Sequence, residues 1–145
     1  MIGLLQRVKS ASVTVNDQVI GNAGHGLLVL VCAEKGDTEE QCEKLAKKML
    51  AYRIFEDDNG KMNKSVTDIG GDILIVSQFT LAADTAKGLR PSFTPAADPE
   101  TGKKLYEHFV KKVAESGLRT ETGEFGAYMQ VALINDGPVT IWLKC

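Results

Sequence analysis

The sequence predicts a single α/β domain in which two long helices pack on one side of a mixed β-sheet. Residues 26–33 (GLLVLVCA) are continuously apolar, which is typical of a central strand covered on both faces. Two later segments instead repeat their apolar residues with the period of an amphipathic helix. A chain of 145 residues has the size of one domain, so we treat residues 1–145 as one unit.

The N-terminal part predicts a β-hairpin that precedes the central strand. Residues 2–8 and 12–15 are rich in aliphatic and β-branched side chains, which favour strands. Asn16 and Asp17 follow, and such a pair is typical of a tight turn between antiparallel strands. A strand pair is therefore expected before residue 26.

The first helix is predicted to begin at Asp37, which is a good N-cap and has Glu40 three residues later, as in a capping box. Apolar residues then fall near helical spacing through about Ile54. They are Cys42, Leu45, Ala46, Met49 and Leu50. One face of this helix should therefore pack on the sheet.

Turn residues separate the first helix from the next strand. Residues 56–60 (EDDNG) predict a turn, and Gly70-Gly71 marks a loop before the apolar run of residues 73–76, which predicts a buried strand. Residues 82–98 have no clear period, and loops longer than about 12 residues are often functional in compact domains.

The second helix is predicted to follow Asp98, which can cap it, with Pro99 at its first position and Gly117 as its stop. Apolar residues stand at positions i, i+4 and i+8 of this segment: Leu105, Phe109 and Val113. This spacing places them on one helix face.

Two strands are predicted to close the chain. Residues 128–134 and 139–143 are separated by residues 135–138 (NDGP), a turn-forming run that ends one strand and begins another. Together with the preceding elements this makes about seven strands and two long helices, an order that indicates a mixed sheet with helices on one side.

Composition excludes several classes of protein. The chain is 43% hydrophobic and 25% charged, as ordinary globular proteins are. Its net charge of −2 gives no overall attraction to nucleic acid, so an RNA partner would have to be held by a local patch or by shape. The three cysteines lack C-x-x-C spacing, and no signal peptide or membrane span is recognisable. We therefore expect a soluble, cytoplasmic protein with reduced thiols.

Ser77, Gln78, Phe79 and Thr80 follow the strand predicted for residues 73–76. Side chains at the point where a buried strand enters a loop often carry chemistry. The commoner alternative is a polar strand end whose hydroxyls cap backbone groups, and no partner that would activate a hydroxyl is evident in the neighbouring sequence. On these residues alone both interpretations stay open.

Gly137 and Pro138 form a second candidate group. X-Pro bonds are cis in about 5% of cases in folded proteins, so a trans-Pro turn is the commoner alternative. A cis bond would aim the neighbouring carbonyl groups in a fixed direction. The sequence pattern itself does not decide between the two.

The remaining reactive or charged residues predict little chemistry. His25 and His108 have no further ligands at suitable spacing, so no metal site is expected, and Cys32 lies in the most apolar strand as an inert core thiol. A loose basic group surrounds the second helix and the long loop: Lys87, Arg90, Lys103, Lys104, Lys111 and Lys112. Such groups are commonly solvated, but these are the best contacts available for RNA phosphates.

Six short motifs extend through the chain: QRV (6–8), YRIF (52–55), GKMN (60–63), SQFTLAADT (77–85), GLRPSF (88–93) and NDGPVT (135–140). Together they closely resemble the D-aminoacyl-tRNA deacylase family, long called D-tyrosyl-tRNA deacylase, and the similarity extends from Met1 to Leu143. One such motif is weak, whereas six in order are specific. The resemblance favours the functional interpretation of both candidate groups.

The resemblance implies a homodimeric α/β fold with three layers (α/β/β) and a barrel-like mixed sheet. It implies hydrolysis of the ester that joins a D-amino acid, or glycine mischarged on tRNA-Ala, to tRNA, without a cofactor or metal. Gly137-Pro138 would be cis and would enter the active site of the partner subunit. The expected partners are aminoacyl-tRNA and a second copy of the chain, with no membrane and no DNA.

The same resemblance assigns chiral selection to the backbone of Gly137 and Pro138. Their carbonyl groups would accept hydrogen bonds from the α-ammonium group of the substrate, and the side chain of an L-amino acid would collide with this backbone. Gly137 has no Cβ and so permits close approach. Asn135, Arg7 and Met129 complete the expected substrate-binding set.

Catalysis is assigned to Ser77, Gln78, Phe79 and Thr80. Backbone N–H groups around Phe79 and Thr80, helped by Gln78, would stabilise the oxyanion that develops during ester hydrolysis. Thr80 could be the nucleophile, but no base is evident, so we favour water assisted by the ribose 2′-hydroxyl.

Two residues depart from the family pattern. Cys32 replaces a glycine, and Tyr128 alters the motif before Met129, which bears on the shape of an adenosine pocket. A non-catalytic module that binds the tRNA end and a structural dimer without a ligand are the competing hypotheses. Single-turnover deacylation distinguishes them from the enzyme.

Overall fold

The computed structural model describes residues 1–145 as eight strands, three α-helices and one 3₁₀ turn. The strands are β1 (Ile2–Val15), β2 (Gln18–Ala23), β3 (Gly26–Cys32), β4 (Phe55–Glu56), β5 (Met62–Lys64), β6 (Asp72–Ser77), β7 (Thr120–Thr122) and β8 (Gln130–Lys144). The helices are α1 (Glu39–Ala51), α2 (Val66–Ile69) and α3 (Pro99–Ala114), and the 3₁₀ turn is Phe79–Ala82.

The main sheet is mixed, as the order of elements predicts. Its strands lie in the order β2-β1-β3-β6-β7, and β8 pairs with the other edge of β1. The pairs of β1 with β2, β3 and β8 are antiparallel, whereas β3–β6 and β6–β7 are parallel. β4 and β5 form a separate two-stranded sheet.

Two cores lie on opposite faces of β3, which confirms that this strand is covered on both sides. Leu27 and Val29 belong to the core under α1 and α3, whose buried residues include Leu45 and Phe109. Leu28 belongs to a second core, which residues of β1, β2 and β6 share and side chains of β8 cover. The sheet therefore curls into a nearly closed, barrel-like layer, with both long helices packed on one side.

A polar seam joins the two ends of the sheet, where β2 lies beside β7 without pairing with it. Arg119 donates hydrogen bonds to Asp72 Oδ2 (2.9 Å), to Asn22 Oδ1 (2.6 Å) and to Glu121. Asn22 N–H donates to Glu121 Oε1 at 3.0 Å. At Gly21 an added Cβ would lie 2.5 Å from the carbonyl oxygen of Thr122, so a glycine is required for this close approach. Side chains thus join the ends of the sheet where no backbone ladder does.

The N-terminal hairpin is confirmed, but its first strand is longer than predicted. Residues 2–8 and 12–15 belong to the single strand β1, whose two halves pair with different neighbours, β3 and β2. Asn16 and Asp17 form the turn, and both have positive φ (49° and 61°), a conformation that Asn and Asp tolerate better than most residues.

The prediction of two C-terminal strands separated by a turn is wrong. Both halves of β8 pair with β1, and the chain keeps its direction through residues 135–138. Gln6 pairs with Thr140 and Val8 pairs with Asn135, so residues 136–139 lie opposite Arg7 alone. This register shift is a bulge, and a bulge on an edge strand accommodates a proline that has no N–H to donate.

The predicted start of α1 is wrong by one residue. Thr38 is the N-cap and forms a capping box with Gln41, while Asp37 accepts a hydrogen bond from Glu34 N–H (2.7 Å) and pairs with the N-terminal ammonium group. The helix ends at Ala51 rather than near Ile54. Asp37 and Thr38 can both act as an N-cap, and Thr38 takes this role because Asp37 is engaged by Glu34 and the N-terminal ammonium group.

The second long helix begins as predicted, because Asp98 caps it by accepting a hydrogen bond from Thr101 N–H at 2.9 Å. It ends at Ala114, three residues before Gly117, which has a φ of 80°. The turn predicted at residues 56–60 is shorter, since Glu56 lies in β4 and Asp57 organises the turn through the N–H groups of residues 59 and 61. No helix combines the length and apolar character that crossing a membrane requires.

Short elements were not predicted. β4, β5, α2, β7 and the 3₁₀ turn each span between two and four residues, which is too few for a hydrophobic period to appear. The 3₁₀ turn and the isolated bridges of Glu34 with Ala96 and of Asp84 with Ser92 give the long loop of residues 82–98 part of its order.

Candidate active site

The first predicted group lies where β6 ends and the 3₁₀ turn begins. Gln78 N–H donates to the carbonyl oxygen of Val31 at 2.8 Å, so the last sheet contact precedes Phe79. The side-chain amide of Gln78 donates to Thr80 Oγ1 at 2.5 Å. No carboxylate or imidazole contacts this hydroxyl, so nothing in the chain is placed to remove its proton.

A cavity of about 470 Å³ opens beside this group. Ser77, Gln78 and Phe79 line one part of its wall, and Tyr128 and Met129 line another. The N-terminal residues of α3 and the ring of Phe125 contribute as well, and the wall is mainly apolar. Such a space suits a flat, partly apolar group that polar atoms at one end hold in position.

Two buried groups in the cavity wall keep their protons. Burial raises the pKa of the Tyr106 hydroxyl to about 12, and this hydroxyl donates to the carbonyl oxygen of Ile75 at 3.1 Å. Burial likewise raises the pKa of the Cys32 thiol to about 11, as expected for an inert core thiol. Cys32 Sγ lies 3.4 Å from the carbonyl oxygen of Phe79, so this thiol contacts the first residue of the 3₁₀ turn.

The second predicted group lies on the bulge of β8. The Gly137-Pro138 peptide bond is cis, as the resemblance implies, and both residues are exposed. Gly137 has a φ of 138°, and an added Cβ would lie 3.0 Å from Val139 N and 3.1 Å from Arg7 Nη2. No other residue type fits this position without movement of its neighbours.

Arg7 anchors the bulge from inside the protein. Its guanidinium is buried, with 7% of the residue exposed, and donates from Nε to the carbonyl oxygen of Asp136 (2.8 Å) and from Nη1 to that of Ile54 (2.7 Å). Gln6 Nε2 donates to Asn135 Oδ1 at 3.5 Å. These contacts join β1 to the segment before Gly137.

Within one chain the two predicted groups are not brought together. Ser77, Gln78, Phe79 and Met129 line the cavity. Arg7 instead lines a smaller hollow of about 200 Å³ with Asp136, His25 and the end of β4, and the exposed Gly137-Pro138 unit borders neither space. Thr80 contacts Gln78 but does not line the cavity.

Several residues near these groups were not predicted from sequence. His25 Nε2 lies 3.5 Å from Asp136 Oδ2, and its ring packs edge-on against Phe55 at 5.5 Å. The ring of Phe93 packs against that of Phe79. No spacing in the sequence connects these partners, because sheet register and loop closure bring them together.

The two histidines pair with carboxylates rather than with a metal-binding set. His108 Nε2 lies 3.2 Å from Glu43 Oε1, and Glu39 lies on its other side. No group of three or more His, Cys, Asp and Glu side chains could hold a metal ion.

Comparison with known proteins gives one consistent family. Residues 4–144 match the family model described as D-Tyr-tRNA(Tyr) deacylase. A D-aminoacyl-tRNA deacylase of Herminiimonas arsenicoxydans is 60% identical over 144 residues, covering 99% of this chain and 97% of that protein. The corresponding protein of Cupriavidus taiwanensis is 58% identical, with the same coverage.

Two solved structures have the same fold. One, titled c-Myc DNA Unwinding Element Binding Protein, superposes with a TM-score of 0.94 at 42% identity, covering 100% of this chain and 99% of that one. Another, titled as a probable eukaryotic D-amino acid tRNA deacylase, has a TM-score of 0.85 at 21% identity and covers 99% and 98% of the two chains. At that identity the second likeness concerns the fold alone.

Proposed function

This chain belongs to the D-Tyr-tRNA(Tyr) deacylase family and is an ester hydrolase that acts on D-aminoacyl-tRNA, and from that premise we propose that its active site is shared between two subunits. The cavity beside Ser77, Gln78 and Phe79 would hold the terminal adenosine of tRNA. Gly137 and Pro138 of a second subunit would close the site over the amino acid.

The observation that carries this proposal is the separation of the two groups within one chain. Gly137 and Pro138 are exposed on β8 and do not line the cavity. β8 is a long edge strand, and such edges are commonly covered by another chain. Ile134 and Trp142 on the same strand are 59% and 50% exposed, which favours an apolar contact there. The predicted homodimer would bring Gly137 and Pro138 of one subunit to the cavity of the other and would cover the exposed edge of β8.

Selection of handedness would depend on main-chain atoms. Two carbonyl groups near Gly137 and Pro138 would accept hydrogen bonds from the substrate's α-ammonium group, and Arg7 holds the adjoining segment rigid. With the α-ammonium group and the ester fixed, an L side chain would point into this backbone, whereas a D side chain would point away. Glycine has no side chain to exclude, so glycyl-tRNA formed on tRNA-Ala would also be cleaved.

Hydrolysis would proceed by attack of water on the ester carbonyl. The first N–H groups of a helical turn lack acceptors within the turn, so those of Phe79 and Thr80 are our candidates to stabilise the oxyanion. The Thr80 hydroxyl has no neighbouring base, which supports assistance by the ribose 2′-hydroxyl of the substrate over a threonine nucleophile. A substrate of this kind favours the cytoplasm as the place of action.

Mixing two damaged variants tests the shared site. Gly137→Ala damages the bulge, and Ala127→Trp fills the cavity. In a shared site each heterodimer keeps one site free of both changes, so mixing equal amounts after joint refolding should restore roughly a quarter of the sites. Circular dichroism of each variant verifies folding. Failure of folded mixtures to regain activity on D-tyrosyl-tRNA would place both groups in one subunit and refute the proposal.

Matched time courses on D- and L-tyrosyl-tRNA test the selection itself. We expect rapid release of D-tyrosine and release of L-tyrosine at the uncatalysed rate. Similar rates on both substrates would show that residues 137 and 138 do not exclude L-amino acids.

A further inference from the structure

A projecting loop of residues 85–91 stands directly beside the candidate active site. Asp84 and Ser92 close its base through two backbone hydrogen bonds, of 2.8 and 3.0 Å, and every residue of the loop is exposed. The loop leaves the 3₁₀ turn that contains Phe79 and Thr80 after only two residues. Phe79 lines the cavity and packs against Phe93, which follows the loop, so the base of the loop lies near the cavity.

An aromatic pair lies between the cavity and the projecting loop. Phe79 and Phe93 pack edge to face with their ring centroids 5.0 Å apart, yet Phe79 is 57% exposed and Phe93 is 38% exposed. Leu89 at the tip of the loop is fully exposed. Exposed apolar rings next to a binding cavity are the kind of surface on which unpaired nucleobases stack.

The loop also carries two cations without carboxylate partners. Lys87 and Arg90 form no ion pair. On α3, by contrast, Lys103 pairs with Glu107 of the same helix (3.7 Å) and Lys112 pairs with Glu43 of α1 (3.7 Å). The carboxylate nearest in sequence, Asp84, accepts a hydrogen bond from Ala86 N–H instead. Two of the four α3 lysines in the basic group predicted from sequence are thus paired, whereas both cations of the loop are unpaired.

From these observations we infer that the projecting loop and the Phe79–Phe93 pair hold the single-stranded acceptor end of the tRNA next to the terminal nucleotide. Bases of that segment stack on the two rings, and Lys87 and Arg90 contact its phosphates. Unpaired cations beside exposed rings match single-stranded nucleic acid. They do not match the core of a subunit interface, which is depleted of charge. The inference rests on the proposed function, because it takes the cavity as the place of the terminal adenosine.

The test compares a substrate that has this segment with one that lacks it. D-Tyrosyl-tRNA contains the acceptor end, whereas the D-tyrosyl ester of free adenosine ends at the terminal nucleoside. The variant is Lys87→Gln with Arg90→Gln. The matched control is Lys47→Gln with Lys48→Gln on α1, which removes the same charge from exposed residues that form no ion pair and do not line the cavity.

We expect kcat/KM of the loop variant on D-tyrosyl-tRNA to fall roughly tenfold near 0.15 M salt. The slope of log(kcat/KM) against log salt concentration should be less steep by about 1.4, because two phosphate contacts are lost. Activity on the adenosine ester should equal that of the unmodified enzyme, and the control should equal it on both substrates. Equal losses on the two substrates, an unchanged salt slope, or a change in subunit association would overturn the inference. A failure of the proposed shared site is distinguishable, because it would show as mixtures of Gly137→Ala and Ala127→Trp that stay inactive, whereas this test concerns the ratio of activities on the two substrates.

Phe93→Leu tests the stacking surface separately. Leucine keeps apolar volume against Phe79 but has no aromatic face, so activity on D-tyrosyl-tRNA should fall several-fold, in line with the loss of about one stacked base. Activity on the adenosine ester should be retained. Equal losses on both substrates would show that Phe93 acts only by supporting Phe79, and would overturn this part of the inference.

Discussion

The regular sheet ladder is interrupted at two places, the seam between β2 and β7 and the bulge of β8. The two places differ in how far their residues are paired within one subunit. At the seam, Arg119 meets Asp72, Asn22 and Glu121, so the polar groups find partners within one subunit. At the bulge, Arg7 holds the inner side, while Gly137 and Pro138 remain exposed. The seam thus closes the sheet within one subunit, whereas the exposed face of the bulge is the surface that we propose for binding.

The largest effect is expected from Gly137→Ala. The added Cβ would lie 3.0 Å from Val139 N and 3.1 Å from Arg7 Nη2 at a φ of 138°, so the bulge must shift, and a displacement of about 1 Å at a reacting centre can cost 100-fold in rate. We expect kcat/KM on D-tyrosyl-tRNA to fall about 100-fold.

Gly60→Ala is the control for this change. Gly60 also has positive φ (74°), but its Cβ would meet nothing within 4 Å, so it tests backbone strain without crowding. Equal losses of activity in the two variants would contradict a special role for the bulge.

A smaller effect is expected from Arg7→Lys, which removes the forked contact behind the bulge. One ammonium group cannot donate to the carbonyl oxygens of Asp136 and Ile54 in the geometry that Nε and Nη1 provide. We expect a loss of about 1–3 kcal/mol in the free energy of unfolding, measured in urea, and a fall in kcat/KM of about tenfold. Exposed Arg53→Lys should change neither quantity. If Arg7→Lys matched this control, the bulge would be rigid for another reason.

At the seam, Gly21→Ala should lower stability and leave the activity of the folded enzyme unchanged. Its Cβ would lie 2.5 Å from the carbonyl oxygen of Thr122, which forces β2 and β7 apart. Crowding of this kind costs about 1–3 kcal/mol, to be measured by urea unfolding beside kcat/KM at a temperature where the variant is folded. A variant of normal stability but low activity would reverse the roles we assign to the two regions.

The smallest effect is expected from Thr80→Ala, on the turn that the bulge of a second subunit would face. The hydroxyl accepts a hydrogen bond from Gln78 and has no base, while the backbone N–H groups remain in the variant. We expect kcat/KM on D-tyrosyl-tRNA to stay within about threefold of normal, since one ordinary exposed hydrogen bond contributes little. Loss of activity to background in a folded protein would make Thr80 the nucleophile after all.

The fold was predictable where long segments carry a clear period. The apolar run of β3, the spacing in α1 and α3, and the cap at Asp98 are properties of neighbouring residues, and the structure confirms them. The prediction failed at residues 135–138, where the same letters suit a turn and a bulge. A turn and a bulge differ in what the flanking segments pair with, and pairing partners are not encoded in local spacing.

The candidate site, like the fold, was predictable from the sequence only in part. The sequence by itself determined which residues could carry chemistry, the family to which the chain belongs, and the strand end on which Ser77 to Thr80 lie. Only the tertiary structure decided that Arg7 supports Asp136 across 129 positions, that Cys32 lies under Phe79, and that Phe93 pairs with Phe79. The physical reason is that a period repeats along the chain, whereas these contacts depend on how a curled sheet sets the register of strands far apart in sequence.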